Sequence, residues 1–206
     1  NLGTTFLTMD ASASTGAVNV DFGGTDVTAT GGTGADDFSF EAVGTVVASG
    51  GAGNDTMRFD ATGTLTTADT VSGGDGTDTL SATSANLVTA SAATPTTYLI
   101  TSIETVSANT AIATGATVDL TNLSTSANYL ELTLANAGTS VLNFNAGSST
   151  LENTAASIGG ITVDAAGTAT DDALSIVHGG ASAVNSINGQ TLISTDFETI
   201  TLNTTG

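Results

Sequence analysis

Three nine-residue segments of one design lie between Gly31 and Ser81. They are Gly31-Gly32-Thr33-Gly34-Ala35-Asp36-Asp37-Phe38-Ser39, Gly50-Gly51-Ala52-Gly53-Asn54-Asp55-Thr56-Met57-Arg58 and Gly73-Gly74-Asp75-Gly76-Thr77-Asp78-Thr79-Leu80-Ser81. Each reads G-G-x-G-x-D-x-U-x, with U a large apolar residue. Repetition at a short fixed period is the signature of a stacked architecture, in which one unit buries its apolar face only against the next. The apolar residue two places after each Asp opens a period-2 alternation. Phe38 and Phe40 therefore share one strand face, as do Met57 and Phe59.

The letters of the nonapeptide have a physical reading. Glycines turn the chain sharply and leave carbonyl oxygens unobstructed by a Cβ. Each segment adds one invariant carboxylate: Asp36, Asp55 or Asp78. A hard cation such as Ca²⁺ takes roughly six to eight oxygen ligands. One loop cannot supply them, but two stacked loops can. The candidate ligands are the carboxylates of Asp36, Asp55 and Asp78 with Asp75, and the carbonyls of Gly32, Gly34, Gly51, Gly53, Gly74 and Gly76.

Spacing supports stacking. Asp36 and Asp55 are 19 residues apart, Asp55 and Asp78 are 23 apart, and two nonapeptides make a coil of 18, so each interval reads as one coil with a small insertion. The other edge of the coil carries decayed copies. Asp60, Asp69 and Asp78 recur every nine residues, which makes Asp60 and Asp69 weaker candidate ligands; the alternative is that both are solvated loop residues. Gly23-Gly24-Thr25-Asp26 reads as a further decayed copy.

The three nonapeptides resemble the hemolysin-type (RTX) calcium repeats of proteins exported by type I secretion. That resemblance covers about a quarter of the chain. It implies an all-β, right-handed parallel β-solenoid (a β-roll) with calcium-binding corners, which folds outside the cell. The Thr/Ala/Gly/Asp/Val-rich, lysine-free composition is similar to the surface-layer and giant-adhesin branch of that family. So is the phrase Phe197-Glu198-Thr199-Ile200-Thr201-Leu202, with its counterpart Ile103-Glu104-Thr105-Val106. The resemblance implies a cell-surface location on a Gram-negative bacterium.

Composition bounds the rest. Of 206 residues, 39% are hydrophobic and 4% aromatic, so any core is built from small apolar side chains, as suits a thin solenoid interior better than a sphere. Acidic residues number 20 against the single base Arg58, giving a formal net charge of −19. Such imbalance is self-repelling and invites divalent counter-ions. It leaves no basic surface for nucleic acid. No apolar run approaches the ~20 residues of a membrane span. Cysteine is absent, so disulfides contribute nothing.

Two modules are expected. Residues 1–98 form the β-roll with the three nonapeptides. Residues 99–206 form a second solenoid with degenerate repeats, or a continuation of the first. Residues 82–98 break the rhythm around Pro95 and read as a loop or one short protruding helix. In the second half, strands alternate at Tyr129–Leu134 and Val141–Phe144, while Asp171 and Asp172 mark a possible turn or further site. Glu104 and Glu198, 94 residues apart, hint at a longer internal repeat.

The chemistry of enzymes is missing. The chain has one His, His178, and neither H-E-x-x-H nor G-x-S-x-G. The glycine runs lead into strands, and Lys is absent, so neither a phosphate loop nor a dinucleotide fold is indicated. The expectation is a non-enzymatic structural segment of a calcium-dependent, self-assembling extracellular protein, a surface layer or fibre. Its partners would be copies of itself and cell-envelope polysaccharide. The alternatives are the stalk of a large adhesin or biofilm-matrix protein, and the secretion and folding module of an exported enzyme or toxin.

Overall fold

A computed structural model describes residues 7–23, 26–41, 44–92, 100–134, 140–154, 160–167, 170–178 and 192–204. Every strand pairing among the described residues is parallel. The chain winds as a parallel β-solenoid, alternately laying one strand on each of two faces.

The long face is a nine-stranded sheet. In spatial order it comprises β2 (Asn19–Phe22), β4 (Asp37–Phe40), β6 (Thr56–Phe59), β8 (Thr79–Ala82), β10 (Thr105–Ala108), β12 (Tyr129–Leu132), β14 (Ser148–Asn153), β16 (Ala173–His178) and β18 (Thr199–Thr204). The facing layer comes in two pieces. A five-stranded sheet holds β1 (Leu7–Asp10), β3 (Val27–Thr30), β5 (Val46–Ala52), β7 (Thr70–Asp75) and β9 (Ile100–Thr101). A four-stranded sheet holds β11 (Thr117–Asp119), β13 (Ser140–Phe144), β15 (Ile161–Ala165) and β17 (Leu192–Thr195). The long sheet runs unbroken past residue 98, because β8 pairs with β10 from Thr79↔Thr105 to Ala82↔Ala108.

Alternation sets which residues enter the core. In β4 and β6 the buried positions are Phe38, Phe40, Met57 and Phe59, with Asp37, Ser39, Thr56 and Arg58 between them facing outward. Register then stacks like on like: Phe38 lies beside Met57, Met57 beside Leu80, and Leu80 beside Val106. Phe40 stacks on Phe22 at 5.3 Å and on Phe59 at 4.9 Å between ring centroids. Across the interior the five-stranded sheet presents Val27, Ala29, Val46, Ala48 and Val71, small enough to leave room for those rings.

Coil length is not the uniform 18 residues of two nonapeptides. Register offsets grow from 18 residues (Val20 to Phe38) to 26 (Leu80 to Val106). The surplus includes helices, so the fold is mostly β and not all-β. Helix α1 (Ser84–Ser91) occupies the stretch expected to hold a loop or helix, but it does not protrude. Asn86 and Leu87 are buried, and the helix packs on β11 and on the short helix α2 (Leu120–Leu123). Its start is fixed by Thr83, whose hydroxyl accepts the N–H of Asn86 at 3.3 Å. No helix among the described residues is long and apolar enough to cross a membrane.

Candidate metal centre

The even-numbered strands all begin at one edge of the solenoid, and the residue before each of several strands carries a carboxylate. Asp36 precedes β4, Asp55 precedes β6, Asp78 precedes β8 and Glu104 precedes β10. These acids form a column joined by backbone-to-side-chain hydrogen bonds. The N–H of Val18 donates to Oδ1 of Asp36 at 2.8 Å. The N–H of Asp36 donates to Oδ1 of Asp55 at 2.7 Å, and that of Asp55 to Oδ1 of Asp78 at 2.7 Å. The N–H of Asp78 continues the column to Oε2 of Glu104 at 2.9 Å. Each acid thus satisfies a corner N–H one coil back.

The second oxygens differ. Oδ2 of Asp36 accepts the N–H of Gly32 at 2.8 Å. Oδ2 of Asp55 and Oδ2 of Asp78 are buried with no hydrogen-bond donor, on side chains 1% and 0% exposed. A buried carboxylate oxygen without a donor is costly and demands either a proton or a cation. Burial pushes the Asp78 carboxyl up to about 6; the N–H of Asp55 opposes that, and the charges of Asp55, Glu104 and Asp75 reinforce it. Burial raises Asp55 as well, against the N–H of Asp36 and with the charge of Asp36.

The glycines make the space. A methyl on Gly50 would sit 2.2 Å from Oδ2 of Asp55 and 2.5 Å from the carbonyl oxygen of Gly73. One on Gly31 would meet the Gly50 carbonyl oxygen at 2.0 Å and Oδ2 of Asp36 at 2.3 Å. One on Gly73 would meet the Ser102 carbonyl oxygen at 2.0 Å and Oδ2 of Asp78 at 2.3 Å. In each coil, then, the first glycine brings its own Asp carboxylate beside a carbonyl of the next coil. The second and fourth positions also stack: an added Cβ at Gly51 would meet the Gly32 carbonyl oxygen at 2.2 Å, and one at Gly76 the Gly53 carbonyl oxygen at 2.0 Å. Gly51, Gly53, Gly74 and Gly76 have positive φ, whereas Gly32 and Gly34 do not.

The remaining candidates lie elsewhere. Asp75 is exposed at the end of β7, where its carbonyl accepts the N–H of Gly53 at 2.8 Å. Asp60 is exposed after β6 and accepts from the side chain of Asn109. Asp69 is buried at the opposite edge, before β7, with both oxygens engaged: Oδ1 by the N–H of Val46 at 2.8 Å and Oδ2 by that of Thr66 at 2.6 Å. Two coils earlier the half-buried Asp26 accepts, through Oδ1, the N–H of Thr45 on the following coil at 2.9 Å. Nine-residue spacing therefore places Asp60, Asp69 and Asp78 at three different stations and not along one line of ligands. Arg58 faces outward and pairs with Asp37 through two bonds, at 2.7 and 2.8 Å. Gly159, Gly179, Gly180 and the side chain of His178 lie outside the described residues.

Among the described residues no cluster of three or more His, Cys, Asp or Glu side chains is placed to hold a metal. The residues that fit a cation are instead one carboxylate per coil with the main-chain oxygens beside it. Such all-oxygen, partly backbone donors suit a hard divalent ion and not a transition metal.

The phrase shared by Ile103-Glu104-Thr105-Val106 and Phe197-Glu198-Thr199-Ile200 has a structural meaning that spacing alone did not reveal. Glu198 precedes β18 as Glu104 precedes β10, and its Oε2 accepts the N–H of Asp172 at 2.8 Å. The residue before each phrase, Ser102 or Asp196, has positive φ (50° and 59°). The signal was the repeated Glu-Thr before an apolar residue at a strand start.

No protein-family model, no curated protein and no solved structure matches the chain.

Proposed function

We propose that this chain is a structural segment of an extracellular, self-assembling surface layer or fibre, rigidified by calcium at the corners of Asp36, Asp55 and Asp78. The observation that carries the reading is the pair of buried, donor-less oxygens on Asp55 and Asp78, each beside a main-chain carbonyl of the next coil. When bound, calcium would supply the positive charge that this strongly acidic chain lacks. Asp55 and Asp78 would hold it with the carbonyls of Gly73 and Ser102, and Asp36 with that of Gly50.

The rest of the fold suits a scaffold. The chain buries its apolar residues in a thin interior shared by successive coils, each of which covers the next.

The test is thermal melting and light scattering of the purified chain in calcium and in EGTA. Calcium should raise the melting temperature and promote large assemblies. A melting temperature and particle size unaffected by EGTA would overturn the proposal.

A further inference from the structure

We propose that Asp172 and Glu198 form a second site for a hard divalent cation, one that does not depend on the glycine-rich nonapeptides. Asp172 is 1% exposed. Its Oδ1 accepts the N–H of Gly147, and its Oδ2 is buried with no donor. The chain offers it no lysine, and its sole arginine is engaged with Asp37 on the outer face of β4 and β6.

The surroundings of Asp172 repeat those of Asp78, bond for bond. The N–H of Asp78 donates to Glu104 Oε2 at 2.9 Å, and that of Asp172 to Glu198 Oε2 at 2.8 Å. The carbonyl of Asp78 accepts the N–H groups of Glu104 and Thr105 at 3.2 and 3.0 Å. The carbonyl of Asp172 accepts those of Glu198 and Thr199 at 3.0 and 3.3 Å. In both units the Asp Oδ2 is the orphaned atom. The Asp–Glu pair is thus a recurring corner in its own right. Asp78 belongs to a nonapeptide; at Asp172 the preceding residues carry no G-G-x-G-x-D pattern.

The comparison with Asp36 separates the two devices. Asp36 belongs to a complete nonapeptide, yet both of its oxygens have N–H donors. An orphaned carboxylate oxygen is therefore not produced by the glycine pattern itself. By that measure Asp172 is as strong a ligand as Asp78, and Glu198, exposed at the edge, gives an ion a route in from solvent. Carboxylates on adjacent coils select hard, oxygen-seeking ions, for which calcium is the probe.

The experiment counts calcium ions bound to the whole chain by equilibrium dialysis, for the parent, Asp172→Asn, Glu198→Gln and the triple variant Asp36→Asn, Asp55→Asn, Asp78→Asn. Asp172→Asn keeps the acceptor for Gly147 and should lose one ion; Glu198→Gln should weaken that ion at least tenfold. The triple variant should retain one ion, which the added Asp172→Asn removes. An unchanged count in Asp172→Asn overturns the site, as does a triple variant that binds none. A triple variant that binds as many ions as the parent sinks the nonapeptide reading and leaves this one standing.

Discussion

The backbone N–H of Asp55 donates to Oδ1 of Asp78, 23 residues on, at 2.7 Å. The same bond links Asp36 to Asp55. A residue type that reads as a metal ligand is therefore also the acceptor that closes each coil onto the next. The two duties fall on different oxygens of one carboxylate: Oδ1 holds the neighbouring backbone, while Oδ2 of Asp55 and Asp78 faces carbonyl oxygen without a donor. Substitutions that separate the two oxygens should separate the two effects.

Asp55→Ala removes both. It leaves the N–H of Asp36 without its acceptor inside the corner, a loss of about 2 kcal/mol in calcium or in EGTA. Asp55→Asn keeps Oδ1 and places a donor where Oδ2 had none. In EGTA it should match or exceed the parent in stability, whereas in calcium it should fall behind. Urea midpoints of the three proteins in both buffers decide the matter. Equal destabilisation by Asn and Ala in EGTA would mean that Oδ2 is not an orphan.

The glycine columns predict a graded series. Gly50→Ala drives a methyl into Oδ2 of Asp55 and into the Gly73 carbonyl, which is backbone of the next coil, and should cost about 3 kcal/mol or more. Gly51→Ala adds backbone strain at φ +108° to a 2.2 Å approach on the Gly32 carbonyl oxygen. Gly63→Ala is the control: its φ is +84° but the space around it is open, so it should cost only about 1 kcal/mol. Thermal melts of the three variants should rank Gly63→Ala well above the other two. A Gly50→Ala protein as stable as Gly63→Ala would disprove the packed corner.

Much of this was legible in the residues. Alternation around Phe38, Phe40, Met57 and Phe59 named the inward face, because a strand offers only two faces and large apolar residues occupy one of them. The recurrence of Asp36, Asp55 and Asp78 gave one edge of the stack, and their intervals of 19 and 23 residues are the register offsets of successive coils. Helix α1 was half legible. Ser84-Ala85-Asn86-Leu87-Val88-Thr89-Ala90-Ser91 has modest helix propensity and no charged face, and its place is fixed by burial of Asn86 and Leu87 against distant coils. Glu104 and Glu198 joined the column unseen. Their carboxylates accept the N–H groups of Asp78 and Asp172, the duty that Asp performs in the nonapeptides. Spacing rules written around Asp do not anticipate that exchange.

Burial of Asp78 makes a prediction in pH. Its carboxyl is raised to about 6 in the folded protein, against roughly 3.9 for an unperturbed Asp. Between those values the folded chain holds a proton that the unfolded chain releases. Without calcium, stability should therefore be highest below about pH 4 for this group and decline as pH rises through about 6, on the order of 3 kcal/mol in all. Asp78→Asn should flatten that decline. Denaturant titrations in EGTA from pH 4 to 7 would reveal it, and equal slopes for parent and variant would rule it out.

Asn86 clamps the coil that carries Asp55 to the helix above it. It is 1% exposed. Its Nδ2 donates to the carbonyls of Phe59 and Ala61 at 2.9 and 2.8 Å, and its Oδ1 accepts the N–H of Gly63 at 2.7 Å. Asn86→Ala leaves all three backbone groups without this partner and should cost about 3 kcal/mol. Asn86→Asp keeps the acceptor for Gly63 but turns a carboxylate oxygen toward two carbonyls, so it should be at least as damaging at neutral pH and partly recover in acid. Hydrogen exchange at the Gly63 amide reports the local effect, and urea midpoints the global one. If Asn86→Ala leaves the Gly63 amide as protected as in the parent, the loop holds its shape without the helix and the clamp has no role.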